Sequence, residues 1–197
     1  MILSDKDIYK LIGYGKLTIN PFDIRCVGSN GIDLRLGDEY ATINKPTILK
    51  IDNDKLIDGN LEEHYEIRKG EWVALYPQRS TLITTVEYIR MPDNVMGFLE
   101  LRSTYARLGL MIPPTFVDAG FEGNLVIEIF NPTLSTFKIR RGTRIVTLVL
   151  ARLSSRPILT YAKKGRYQKQ KGLTLPRLKI IGDERRAKGR QVAKAVD

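Results

Sequence analysis

The feature that most constrains the fold is a series of short apolar runs of β type, separated by turns that carry proline or glycine. Three of these runs follow each other at Trp72–Pro77, Thr81–Ile89 and Val95–Leu101, and an earlier one alternates apolar and charged residues between Gly28 and Gly37. Evenly spaced short strands with little helix are typical of all-β sandwiches and barrels rather than of doubly wound sheets. We therefore predict a mainly β fold with a few short helices.

Local patterns add a helix and two hairpins to this prediction. Residues 4–13 have Ser4 in the position of an N-cap, apolar residues at helical spacing and Gly13 as a stop. The Gly-x-x-Gly sequence at 120–123 predicts one hairpin. Residues 137–153 predict another, which turns at Arg141 and Gly142.

Length and charge suggest one domain followed by a tail. The chain has 197 residues and a hydrophobic fraction of 43%, enough for a single folded core. Residues 1–178 form the predicted domain, and 179–197 form a basic tail that we expect to be disordered or a loosely held helix. From Lys138 to the end there are 18 Lys and Arg against 3 Asp and Glu. This asymmetry predicts an anionic partner, either a small nucleotide or nucleic acid.

The scarcity of cysteine and histidine excludes much catalytic chemistry. One Cys and one His cannot supply a Cys/His zinc site. The one histidine, His64, lies in the polar stretch L-E-E-H-Y-E, which is typical of an exposed loop or edge and disfavours a Ser-His-Asp triad, so acid–base work falls to carboxylates, hydroxyls, Lys or Arg. With Cys26 alone, no internal disulfide can form. The sequence has no apolar run of about 20 residues that would span a bilayer and no signal-peptide pattern at its start. We expect a cytoplasmic protein without a membrane partner.

One carboxylate interrupts an apolar strand. In L-V-I-E-I-F, residues 125–130, Glu128 shares its face with Val126 and Phe130, because successive side chains of a strand point to opposite sides. Since both faces carry apolar residues, we expect both to be covered. Desolvation would then raise the pKa of the Glu128 carboxyl toward values useful for proton transfer. The alternative is a structural carboxylate paired with a buried arginine.

Two neighbouring segments add polar groups. If R-S-T-Y-A-R, residues 102–107, is helical, Ser103 and Arg107 share a face, and the helix start with Arg102 and Arg107 could receive phosphates. The alternative is an ordinary helix cap. Asp118 lies between apolar residues just before a glycine. It would accept a hydrogen bond from a sugar hydroxyl, orient a water, or form a turn with its own backbone.

The order and spacing of these segments resemble the dCTP deaminase family, which belongs to the trimeric dUTPase-like superfamily. The resemblance rests on R-S-T-Y-A-R-L-G-L, V-D-A-G-F-E-G-N-L-V-I-E, R-G-T-R-I and R-Y-Q-K-Q-K-G-L-T-L, with G-S-N-G-I-D-L-R-L-G as an early strand motif. It extends to about Leu178. It implies a dUTPase-like distorted β-barrel of jelly-roll type and a homotrimer with active sites between subunits. It also implies zinc-free hydrolysis of dCTP to dUTP and ammonia in pyrimidine deoxynucleotide synthesis, with Mg²⁺ carried by the triphosphate.

The same resemblance implies residue roles. Glu128 matches the general acid/base that moves protons from water to the cytosine ring and to the leaving ammonia. Ser103 and Arg107 match residues that position the water, the carboxylate and the phosphates. The matched substrate contacts are Arg102 and Thr104 at the triphosphate, Val117 and Asp118 at the base and sugar, and Tyr161, Arg166, Tyr167 and Gln170 in a C-terminal segment that closes over the triphosphate.

The sequence departs from the family pattern in several places. Thr104 stands where the family often has Ser, which keeps a hydroxyl. Arg166 stands where the family often has Lys, which keeps a cation. The loop M-I-P-P-T-F-V-D, residues 111–118, is two residues shorter than the bacterial form and resembles the archaeal one.

Three other functions stay open. A bifunctional enzyme would also release pyrophosphate and give dUMP, with Asp118 activating a water. A dUTPase is disfavoured because that branch usually has an apolar residue where Glu128 stands. A non-catalytic nucleotide or nucleic-acid binder would use the basic tail, but the intact set of Ser103, Arg107 and Glu128 argues against it.

Overall fold

The structure is a computed structural model that describes residues 1–43 and 46–180. Its helices are α1 (Asp5–Gly13), a 3₁₀ turn (Ile24–Cys26), α2 (Leu61–His64), α3 (Ser103–Arg107) and α4 (Tyr161–Lys164). Its strands are β1 (Thr18–Asn20), β2 (Val27–Gly28), β3 (Gly31–Ile43), β4 (Lys50–Asp52), β5 (Lys55–Asp58), β6 (Tyr65–Lys69), β7 (Trp72–Leu75), β8 (Arg79–Arg90), β9 (Val95–Leu101), β10 (Thr115–Val117), β11 (Glu122–Asn131), β12 (Phe137–Arg140), β13 (Arg144–Arg152) and β14 (Lys179–Ile180). The predicted mainly β class with short helices is confirmed.

The described chain divides into two compact units. The larger comprises Met1–Thr42 and Ile67–Thr174. Its main sheet has the strand order β1-β8-β3-β13-β9-β10, with β11 beside β8 and with β2 and β6 beside β3, while β7 and β12 pair separately. The smaller unit contains β4, β5 and β14 in a sheet of their own. Most of the predicted tail, residues 181–197, lies outside the described residues, and no helix of the described chain is long and apolar enough to cross a bilayer.

The first helix forms as predicted. The backbone N–H and the hydroxyl of Ser4 donate to one carboxylate oxygen of Asp7, at 3.4 and 3.1 Å, which fixes the start of α1. Ile8 and Leu11, one turn apart, are buried in the core of the larger unit. The amphipathic spacing therefore places one face of α1 against the sheet.

Both predicted hairpins are wrong, although the turns are present. β12 pairs with β7, and β13 pairs with β3 and β9, so the strands on either side of Arg141 and Gly142 go to different sheets. In the same way, β10 pairs with β9 and β11 pairs with β8 across the 120–123 turn. Alternation defines which face of a strand is apolar, but it does not identify the partner strand.

β11 is half-covered rather than covered on both faces. Leu125, Ile127 and Ile129 are buried, whereas Val126, Glu128 and Phe130 alternate with them and are only partly buried. The expectation that apolar residues on both faces mean full burial is therefore met on one face only. The second face of the strand keeps access to a ligand or to another chain.

Candidate functional site

Glu128 lies in the middle of β11, opposite Leu82 of β8. Burial raises the pKa of its carboxyl above the ordinary value of 4.5, because desolvation disfavours the charged form. No cation pairs with it among residues 1–43 and 46–180. The alternative of a structural carboxylate held by a buried arginine therefore has no support in this part of the chain, and the group is free to exchange a proton.

Replacing Glu128 with glutamine should stabilise the protein at neutral and higher pH. The folded-state pKa of the carboxyl lies above the unfolded value, so the folded state keeps the proton up to a higher pH than the unfolded state does. The free energy of unfolding therefore falls as the pH rises from the unfolded pKa through the folded pKa. Glutamine carries no charge and avoids this loss. We expect the Tm of Glu128→Gln to exceed that of the wild type by a few degrees at about pH 8 and to match it below about pH 4. Calorimetry at one protein concentration measures both values, and a lower Tm for the variant at the higher pH would contradict the prediction.

The segment that follows β9 is helical, as the spacing predicted. α3 begins at Ser103, directly after Arg102, and its side chains Ser103, Thr104 and Arg107 are exposed. Leu108 continues the exposed surface at 48%. The polar groups of this short helix are thus available on the surface of the single chain.

Arg102 is held in place by a carboxylate from a distant strand. Its Nε lies 3.2 Å from Asp33 Oδ2, and its Nη1 donates to the carbonyl of Arg144 at 3.3 Å. Asp33 also lies 3.5 Å from Arg144 Nη1 and accepts from the Thr147 hydroxyl at 2.8 Å. These contacts fix the direction of the Arg102 guanidinium. Asp33 belongs to the G-I-D-L-R-L-G motif, and no pattern in the sequence predicts its contact with Arg102.

The chain after α3 returns to the strand that carries Glu128. Met111 and Phe130 form a bridge with two backbone hydrogen bonds, of 3.0 and 2.8 Å. Phe130 is two residues beyond Glu128 on the same face. Within the described chain, however, neither Ser103 nor Arg107 forms a hydrogen bond or ion pair with Glu128. The described chain therefore does not bring Ser103 or Arg107 into contact with Glu128.

Val117 is the last residue of β10, and Asp118 begins the turn that follows it. The Val117 side chain is buried at 2% exposure, so a contact with a base would have to use its backbone groups. Asp118 is exposed, and its carbonyl, rather than its carboxylate, accepts the turn hydrogen bond from Phe121 at 3.1 Å. The carboxylate of Asp118 remains available for a ligand instead of forming a turn with its own backbone.

The C-terminal segment, residues 161–173, lies against the same turn. The N–H of Tyr161 donates to the carbonyl of Ala119 at 3.2 Å, and the Tyr161 hydroxyl accepts from the N–H of Tyr167 at 3.1 Å. Gln170 is buried at 7% exposure, and its amide donates to the carbonyl of Asn124 at 2.7 Å. Its side-chain carbonyl oxygen is buried without a hydrogen-bond partner. The structure thus brings Tyr161 against Ala119, the residue after Asp118, while Gln170 pairs with β11.

Comparison with known proteins identifies the family. Residues 2–153 match the family model described as dCTP deaminase-like. The chain belongs to the dCTP deaminase-like family. A relative from Pyrobaculum aerophilum named dCTP deaminase is 42% identical over 183 residues, which cover 90% of this chain and 97% of the relative. Another of that name, from Acidianus ambivalens, is 41% identical and covers 91% and 99% of the two chains. Both are archaeal, so the predicted family and its archaeal form are confirmed.

A solved structure supports the fold of this dCTP deaminase-like chain. The crystal structure of 2′-deoxycytidine 5′-triphosphate deaminase from Agrobacterium tumefaciens superposes with a TM-score of 0.59 at 21% identity. The match covers 76% of this chain and 46% of the other, so this chain spans less than half of that protein's length. At this level of identity the likeness concerns the fold alone, and it confirms the fold class that the resemblance implied.

The part of the dCTP deaminase-like chain that the structure describes has no cluster of metal ligands. Within residues 1–43 and 46–180, no three His, Cys, Asp or Glu side chains gather in a way that could hold one. The basic and polar groups near α3 and in the C-terminal segment are donors, which suit phosphate oxygens rather than a cation.

Proposed function

We propose that the protein is a dCTP deaminase, which hydrolyses dCTP to dUTP and ammonia without zinc. One observation carries the proposal: Glu128 is a partly buried carboxyl with a raised pKa and no ion-pair partner in the described chain. It also stands in a family whose archaeal relatives are named for this reaction. In the proposal the catalytic domain spans residues 1–178 and acts in the cytoplasm, a location that the single cysteine favours.

The proposed mechanism uses Glu128 as a proton shuttle. The carboxylate takes a proton from the attacking water as the oxygen bonds to C4 of cytosine, and it passes this proton to N3 of the ring. A second proton, from the new hydroxyl group, then goes to the amino group, which leaves as ammonia while the C4 carbonyl of uracil forms. A raised pKa suits this cycle because the same group must both accept and release a proton near neutral pH.

The remaining residues bind and orient the substrate in the proposal. Ser103 and Arg107 position the water, the Glu128 carboxylate and the phosphates. The other proposed contacts are Arg102 and Thr104 at the triphosphate, Val117 through its backbone at the base, Asp118 at the 3′-hydroxyl, and Tyr161, Arg166, Tyr167 and Gln170 along the C-terminal segment. The ion pair of Arg102 with Asp33 supports this assignment because a guanidinium that is already oriented loses less entropy when it binds a phosphate.

We propose that the enzyme is a homotrimer with active sites between subunits. In the single chain Ser103 and Arg107 do not meet Glu128, and one face of β11 is only partly buried. Three exposed apolar side chains follow α3 in the chain: Leu108 at 48%, Met111 at 56% and Phe116 at 59%. Exposed apolar residues next to polar site residues are typical of protein interfaces. A second subunit would cover them and supply the missing groups.

Magnesium enters the proposal with the nucleotide. The donor-rich site and the lack of a carboxylate cluster in the described chain fit an ion whose ligands are phosphate oxygens and water. Bound in this way, Mg²⁺ neutralises part of the triphosphate charge. The protein side chains then hold the phosphates from the other side, and no side chain needs to ligate the metal.

Incubation of the protein with dCTP and Mg²⁺, and separately with dUTP, tests the function. We expect chromatography to show conversion of dCTP to dUTP and no reaction of dUTP. If dUMP and pyrophosphate appear, the bifunctional alternative replaces the proposal and Asp118 becomes the next residue to change. No reaction with either nucleotide would overturn the enzymatic proposal in favour of a nucleotide-binding protein.

A further inference from the structure

The C-terminal segment is joined to β11 by an isolated backbone bridge between Gln170 and Gly123. The N–H of Lys169 donates to the carbonyl of Glu122 at 2.6 Å, and the N–H of Asn124 donates to the carbonyl of Gln170 at 3.0 Å. The pairing direction is parallel. Backbone pairing alone allows a strand to slip along its neighbour, so other contacts must define the register.

Gln168 supplies the first of these contacts. Its side-chain oxygen accepts from the N–H of Glu122 at 3.1 Å, and its side-chain NH₂ donates to the carbonyl of Gly120 at 3.1 Å. One side chain therefore satisfies a backbone donor and a backbone acceptor that would otherwise lack partners in this arrangement. A slip of one residue would leave both backbone groups unpaired, which is costly when they are partly buried.

Asn124 supplies the second contact, from the side of β11. Its NH₂ group donates to the carbonyls of Thr85 and Glu87, both at 3.2 Å, where the pairing of β11 with β8 is interrupted by a bulge. Its side-chain oxygen accepts from the N–H of Gly172 at 3.2 Å. A single amide thus connects the bulge of the sheet to the C-terminal segment, and both of its hydrogen-bonding groups are in use.

A third contact lies just beyond. The N–H of Leu173 donates to Glu39 Oε2 at 2.8 Å. Gly172 has φ +65°, and a Cβ there would lie 2.3 Å from the same oxygen, so glycine permits both the conformation and the close approach. The segment is fixed at this end by residues that are not themselves matched to substrate contacts.

We propose that Gln168 and Asn124 are positioning residues that set the register of the C-terminal segment on β11. Arg166 and Tyr167 immediately precede Gln168, and Gln170 follows it by two residues. A fixed register therefore places all three at defined positions relative to Glu128, which lies four residues beyond Asn124 on the same strand. The inference rests on the proposed function, since it assigns to these two residues the placement of substrate contacts in that site.

Gln168→Met tests the first positioning residue, because methionine keeps the length of the side chain and loses both hydrogen bonds. We expect KM for dCTP to rise about tenfold, equivalent to about 1.4 kcal/mol, with kcat nearly unchanged. We also expect trypsin to cleave faster after Lys163, Lys164 and Arg166, because the segment leaves β11 more often. Cleavage does not depend on catalysis, so it tests the register even if the protein proves not to deaminate dCTP.

A pair of substitutions tests Asn124. Asn124→Asp keeps the acceptor for Gly172 but loses both donors to the bulge, whereas Asn124→Ala loses all three hydrogen bonds. We expect tryptic cleavage of the segment to be fastest in Asn124→Ala and intermediate in Asn124→Asp, and KM for dCTP to follow the same order. Equal cleavage in the two variants would overturn the assignment of the Gly172 contact to positioning.

Gln78→Met serves as the matched control. The side-chain NH₂ of Gln78 donates to the carbonyl of Pro132, beyond the other end of β11. This substitution removes the same kind of side-chain-to-backbone hydrogen bond without touching the segment, and we expect both readouts to stay at wild-type values. Thermal unfolding of each variant verifies that it is folded. If Gln168→Met and Asn124→Ala keep the wild-type KM and cleavage rate, the proposal is overturned.

Discussion

We expect Glu128→Gln to lower kcat for dCTP by roughly 10³-fold or more, in the upper part of the range that general acid–base catalysis contributes. Glutamine has the same shape but cannot accept the proton of the attacking water. Because the amide fills the same space, the affinity for dCTP should change little. Single-turnover assays of deamination and calorimetric titration with dCTP measure the two quantities separately.

Glu122→Gln is the control for this substitution. Glu122 lies at the start of the same strand, and its Oε1 accepts a hydrogen bond from the Tyr88 hydroxyl at 3.0 Å, which a glutamine oxygen can also accept. We expect near wild-type turnover in this variant. Turnover retained in Glu128→Gln would eliminate the proposed proton shuttle, whereas loss of dCTP binding in that variant would show that the carboxylate acts in binding instead.

The same carboxyl should determine the acidic side of the pH profile. Its pKa is raised by desolvation, so the fraction present as carboxylate falls at a higher pH than for an ordinary glutamate. In the proposed mechanism the carboxylate must be present before water attacks. The acid limb of kcat/KM should therefore lie above 4.5, and in the proposed trimer burial by a second subunit would move it further upward.

Local signals in the sequence were sufficient for α1, for several of the strands and for the position of Glu128 on one of them. Ser4 and Asp7 cap α1 within four residues of each other, and the alternation around Glu128 is contained in one strand. Such features depend on neighbours in the chain, so periodicity and capping rules can detect them. The family motifs indicated roles for individual residues, because they record the spacing of functional residues along the chain. Periodicity and capping rules do not interpret that spacing.

Long-range partners could not be predicted from the same signals. Asp33 holds Arg102, and Gln168 holds the backbone at Gly120, across separations that no periodic pattern describes. The two hairpins failed for a related reason, since a good turn is compatible with flanking strands that pair with other partners instead of with each other. A contact between Glu128 and Ser103 could not be predicted from these signals either, and the two residues do not interact within the described single chain.

The second large effect concerns the stability of the larger unit. Glu87 is 2% exposed, its Oε1 lies 2.6 Å from Arg35 Nε, and its Oε2 accepts from the N–H of Arg35 at 2.9 Å. Glu87→Ala would leave the Arg35 guanidinium and N–H without this partner. We expect the free energy of unfolding to fall by about 3 kcal/mol, near the lower end for breaking a buried pair, because Arg35 keeps some contact with solvent.

An exposed pair of the same residue types gives the comparison. Arg140 contacts Glu71 at 2.5 Å, but both side chains are more than half exposed, so Glu71→Ala should cost less than about 1 kcal/mol. Urea unfolding at one protein concentration measures both variants, and the fixed concentration matters because subunit association would add to the stability. The contact distances alone would predict equal losses of stability for the two pairs. Desolvation predicts a much larger loss for the pair of Arg35 and Glu87. Equal losses in the two variants would therefore show that burial does not determine the energy of these pairs.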